Sequence, residues 1–138
     1  MEYVKLPSTL KLIDSFSFHQ CSSLSNIEIP YGVTKIEGNA FSQTNLSEIE
    51  IPETVTYFGG SVFDGSKLTS LHIPASVTTM WGTLVKGCPI TSVTFDQSPG
   101  EDLTWYNAGV YGDGGLTSMS GPISITELDF PSRLIYLG

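Results

Sequence analysis

The chain has 138 residues, of which 40% are apolar, and carries a formal net charge of −8 with six Lys and Arg. That balance argues against nucleic acid and anionic membrane surfaces as partners, because both reward basic patches. No run of 18 apolar residues occurs, so no membrane-spanning helix and no membrane insertion are expected. The length suits one domain.

Residues 1–23 read as a first coil, with Val4, Leu6, Pro7, Leu10, Ile13, Phe18 and Cys21 at places that recur later. Nothing at Met1 resembles a charged n-region followed by an apolar h-region. The chain instead starts in register, as removal of a preceding signal or of further repeats would leave it.

Three regular coils follow, 24–45, 46–67 and 68–89. They open L-S-N-I-E-I-P, L-S-E-I-E-I-P and L-T-S-L-H-I-P. Pro30, Pro52 and Pro74 are 22 residues apart, and Pro7 precedes Pro30 by 23. Fixed self-similarity near this length signals a stacked array. The last two apolar residues before each proline are two apart and share one face of a strand. Proline then ends the strand, since it has no N–H for a ladder, and residues near 26–29, 48–51, 70–73, 92–95 and 127–130 are expected to form one long parallel sheet on this wall, in that order. Val33 with Ile36, Val55 with Phe58 and Val77 with Met80 read as short strands on a second wall. Phe18, Phe41, Phe63 and Val85 form a corner column, with helix expected only as single turns near Asn39–Phe41 and its equivalents.

A fifth coil, 90–124, keeps Val93 and Phe95 in register but has Asp96 where proline is expected. The next clear repeat is Ile125, Leu128, Phe130 and Pro131, in a partial sixth coil, 125–138. Roughly 13 extra residues therefore fall within 97–124, a Gly-rich segment with Trp105, Tyr106 and Tyr111. A competing register, Leu116–Pro122, ranks second because Gly121 would replace a core residue.

These positions resemble the leucine-rich repeats of the BspA-like family, whose consensus runs roughly L-x-x-I-x-I-P-x-x-V-x-x-I-G-x-x-A-F-x-x-C-x-x-L. The match covers 1–95 and 125–138. The resemblance implies a right-handed leucine-rich repeat solenoid, β-rich, with a long parallel sheet on one wall. It also implies a binding role, often adhesion, at a bacterial or protozoan cell surface or outside the cell.

Between the core residues of the main wall stand Glu28, Glu48, Glu50 and His72. Stacked strands about 4.8 Å apart put Glu28, Glu50 and His72 in one ladder. Two readings stand side by side, an acidic binding strip and a solvated sheet face. Trp81 falls at an outward phase, either as a contact residue or packed under the insertion of the next coil. Trp105, Tyr106 and Tyr111 belong either to a binding loop or to a seal over the end of the array. His19 and His72 fall at different phases of the repeat, so no nucleophile–His–acid constellation follows. No metal or cofactor motif is present, and calcium-loop spacing is absent. Cys21 and Cys88 share one corner position three coils apart, about 14 Å, too far for a disulfide. Both are expected free and buried.

The expected function is a non-enzymatic binding module for a protein or surface glycan. The alternative is a spacer segment of a longer array with no ligand of its own. The first strand, near residues 3–6, should present an open edge suited to edge-to-edge self-association.

Overall fold

The computed structural model describes residues 3–97, 101–109, 127–129 and 134–137. Within them the chain forms eleven strands, all paired in parallel. The first wall holds β1 (Tyr3–Lys5), β3 (Asn26–Glu28), β6 (Ser70–Ile73), β8 (Ser92–Phe95) and β10 (Glu127–Asp129). The second wall holds β2 (Leu12–Ile13), β4 (Lys35–Ile36), β5 (Tyr57–Phe58), β7 (Thr79–Thr83), β9 (Leu103–Gly109) and β11 (Leu134–Leu137).

The continuous ladder lies on the second wall, in the order β2-β4-β5-β7-β9-β11. This reverses the expectation that the strand–proline wall would carry the long sheet. On that wall β1 pairs with β3, and β6-β8-β10 form a separate sheet. Residues 48–51 form no strand between them. Cross-strand pairs explain where the ladder holds. Lys5 sits opposite Glu28, an attractive pair. His72 sits opposite Thr94, and its Nδ1 lies 2.9 Å from Thr94 Oγ1. A continued ladder would set Glu50 opposite Glu28, and like charges directly opposite are destabilising.

Between the coils the buried side chains form columns. Phe18 stacks on Phe41 with ring centroids 5.3 Å apart, and Phe41 on Phe63 at 5.9 Å. The expected corner column is therefore present. Its backbone is not helical: no helix forms among the described residues. Phe16, Phe18 and Gln20 donate their N–H groups to the carbonyls of Gly38, Ala40 and Ser42 in the next coil. The residues between, Ser17, His19 and Cys21, donate to carbonyls three positions back. Stacking thus takes every second N–H, which leaves none for a helical i to i−4 pattern. Positive φ recurs at two places in this turn, at Phe16, Asn39 and Ser61 near its start and at Gln20, Gln43, Gly65 and Gly87 near its end.

The fifth coil is more regular than its sequence suggests. β8 pairs with β10 through Val93 and Leu128, the register read from Ile125 to Pro131; the competing stretch Leu116–Pro122 lies outside the described residues. Residues 103–109 are a strand of the second wall, with Trp105 in register between Met80 and Tyr136. Trp105 lies nine residues after Asp96, whereas Met80 lies six after Pro74, so three extra residues precede β9. Cys88 is buried as expected, and Cys21 is exposed, contrary to expectation; both are free. Cys21 belongs to the first coil described, where Leu12 and Phe16 are exposed as well.

Candidate functional site

The break in the first wall opens a groove of about 990 Å³ centred on the third coil. Its apolar lining comes from Ile27, Ile29, Ile49 and Ile51. Ile27, Ile29 and Ile51 are buried, while Ile49 is half-buried. Its sister residues Leu71 and Val93 are fully covered. No inter-coil main-chain hydrogen bond joins Glu48–Ile51 to the described residues on either side.

The groove is acidic. Glu28, Glu48, Glu50, Glu53 and Asp96 all line it, with His72 and without any Lys or Arg. Tyr31, 77% exposed, stands at its rim. Of the residues singled out from the sequence, the structure brings Glu28, Glu48, Glu50 and His72 together here. Tyr31, Glu53 and Asp96 were missed. All three sit at or just after the proline position, outside the strand phases from which outward residues were read. Among the described residues no group of three or more His, Cys, Asp or Glu is arranged to hold a metal ion.

Trp81 and Tyr106 lie on the second wall, away from the groove. They are paired across β7 and β9, and their rings stack at 4.3 Å and 16°. Trp81 remains 39% exposed, so it both packs under the fifth coil and faces solvent. Tyr106 is in a strand and not in a loop. Trp105 belongs to the same strand. Tyr111 lies outside the described residues.

Lys35 Nζ lies over the Tyr57 ring, 5.6 Å from its centre. Burial pushes the Tyr57 phenol above its ordinary range, and the Glu37 carboxylate adds to the shift. His19 stands at the corner, its Nδ1 2.6 Å from Ser42 Oγ. At another corner position, burial raises the Cys88 thiol, hydrogen bonds to Ser66 oppose the shift, and Asp64 adds to it.

A family model for the BspA-type leucine-rich repeat region, in six copies, matches residues 1–101. The chain belongs to the BspA-type leucine-rich repeat family. No curated protein matches it. It is similar to a crystal structure of a leucine-rich repeat protein from Bacteroides ovatus, at 25% identity and a TM-score of 0.64. That similarity covers 100% of this chain and 39% of the other, so this chain spans well under half the length of the protein it resembles. Leucine-rich repeats generally serve as protein-interaction modules, and the BspA type is typical of bacterial surface or secreted proteins. No helix among the described residues is long and apolar enough to cross a membrane.

Proposed function

We propose that this BspA-type repeat is a non-enzymatic binding module that takes an extended, basic segment of a partner protein into the first-wall groove. The observation that carries this reading is the groove itself, with an isoleucine floor, five carboxylates and no cation among its lining residues. The main chain of Glu48–Ile51 is left without inter-coil partners among the described residues. An extended peptide can supply such hydrogen bonds, as in strand addition. Tyr31 at the rim adds an exposed aromatic of the type enriched at interfaces. A neutral surface glycan is the weaker fit, because it brings no positive charge to an acidic lining. Hydrolytic chemistry on a carboxylate pair needs two unlike environments, and an open face does not provide them. A place outside the cell, in adhesion or host contact, follows the habit of the family.

Titration calorimetry with an alternating valine–lysine octapeptide tests the reading. Binding should weaken about tenfold when Glu48 and Glu50 are both changed to Gln. Equal affinity for that variant would rule the groove out.

A further inference from the structure

Both walls end in open strands. Among the described residues, β1 and β2 have a neighbour on one side alone, and so do β10 and β11 at the other end of the stack. The first coil is left incompletely covered. Val4, Leu10 and Phe18 are only partly buried, whereas Ile27, Val33 and Phe41 at the same places in the second coil are buried. Tyr3 and Leu12 are 48% and 42% exposed. In the second coil the N–H groups of Thr34 and Glu37 donate to the carbonyls of Lys11 and Ile13. The matching N–H groups of the first coil, on Lys11 and Asp14, meet no inter-coil carbonyl among the described residues.

The two ends are complementary in register and charge. Lys5 and Asp129 hold the same place in their coils, two residues before Pro7 and Pro131. Lys5 is in register with Glu28, and Asp129 with Thr94 and through it His72. One more step of the stack, about 4.8 Å, would set β1 of a second copy against β10. Val4 would then be level with Leu128, and Lys5 with Asp129. Lys5 would have an acidic residue in register on either side, Glu28 of its own chain and Asp129 of the next. Opposite charges directly across neighbouring strands attract. On the second wall the same step sets β11 against β2. The register from Leu12 through successive strands leads to Ile135, so an exposed leucine meets an isoleucine position. The outer edge of β11 offers main-chain carbonyls to the N–H groups of Lys11 and Asp14.

We infer that the first-coil face binds a second copy of this chain head to tail, so that β1 and β2 of one copy continue the ladders beyond β10 and β11 of another. Uncovered coil ends expose core and an unpaired strand, which gives the joint its driving force. Every strand pair within the chain is parallel, and this joint keeps that direction. Pairing two first coils with each other would run them antiparallel and leave Asp129 unmatched. A head-to-tail joint leaves one free face of each kind, so it grows as an open chain and does not close at two copies. The joint lies at the ends of the stack and does not depend on the groove at the third coil.

Sedimentation velocity of the whole chain, from about 10 μM to about 1 mM, tests the joint. The mean mass should rise with concentration past that of two chains, and added salt should oppose the rise. Asp129→Lys, which leaves β1 untouched, should weaken association at least about tenfold, and so should Lys5→Glu. An equimolar mixture of these two variants should recover the growth of the parent, because each altered end then meets its opposite. Lys5→Glu also faces Glu28 within the chain; if its amide spectrum departs from the parent's, Asp129→Lys alone decides. A parent chain that stays monomeric at the highest concentration would overturn the inference, and protected amides at Lys11 and Asp14 in that monomer would assign the face to a segment of the chain itself. Growth that stops at two chains, an Asp129→Lys variant that associates like the parent, or a mixture of well-folded variants that fails to associate would each overturn it as well.

Discussion

Ile49 occupies the same place in the third coil as Ile27 in the second, yet Ile27 is buried inside a strand and Ile49 is half-buried with no strand around it. The apolar side chains of the two coils do not differ here; the neighbours do. Glu48 and Glu50 flank Ile49, and Glu28 stands where Glu50 would have to pair. If like charge breaks the ladder, neutral β-formers should mend it. Glu48→Thr with Glu50→Thr should join the two first-wall sheets and add about 0.5–1 kcal/mol of stability. The sensitive readout is amide hydrogen exchange at Ile49 and Ile51, which should become protected. Unchanged exchange would place the cause of the break elsewhere.

Gly59 and Gly60 are adjacent and should respond oppositely to the same change. A Cβ on Gly59 would meet the backbone of Glu37 and Gly38, with Gly38 N at 2.3 Å. Backbone cannot give way as a side-chain tip can. Gly59→Ala should therefore cost about 1–3 kcal/mol, the range of overpacking. A Cβ on Gly60 would meet Trp81 O at 3.6 Å, an ordinary contact. Gly60→Ala should fall within about 0.5 kcal/mol of the parent. Denaturant unfolding of the two variants side by side decides this.

The two thiols should separate by reactivity. Cys21 is exposed, while Cys88 is buried with its Sγ 3.2 Å from Ser66 Oγ and 3.1 Å from the Phe63 carbonyl. A thiol reagent should modify one cysteine per native chain quickly and two per denatured chain. The raised Cys88 pKa has a defined sign for stability. The folded state holds the proton more tightly than the unfolded one. Its contribution is therefore whole below the ordinary thiol value of 9.0 and is lost as pH rises through the higher folded value. Tyr57 acts in the same direction above its ordinary 10.0. Cys88→Ala in a Tyr57→Phe background should flatten the alkaline fall in melting temperature. An unchanged slope would show that neither group drives it.

Much of this architecture is legible in the sequence because repetition aligns like with like. The proline count fixes the coils, and the phase of each coil predicts the Phe18–Phe41–Phe63 column and the outward place of Trp81. Three features are not legible, each for a physical reason. The break at the third coil escapes because E-I-E-I keeps the apolar spacing of an ordinary strand; the signal lies in a charge pair 22 residues away. Strand β9 escapes because T-W-Y-N-A lacks the valine–isoleucine spacing of its sisters and precedes a Gly-rich stretch. The exposure of Cys21 escapes because phase tells which column a residue joins and not whether another coil covers it. At the site, strand phases mark only the side chains between core residues, and Tyr31, Glu53 and Asp96 at the proline corner fall outside those phases.

The central functional claim is that the interrupted third coil is where a partner binds. Backbone amide chemical-shift mapping with the alternating valine–lysine octapeptide tests it most directly. Saturable shifts should be confined to residues 26–29, 48–53 and 70–72 and should be lost when Glu50 is changed to Lys. Shifts spread evenly over the acidic surface, or a map that survives Glu50→Lys, would contradict it.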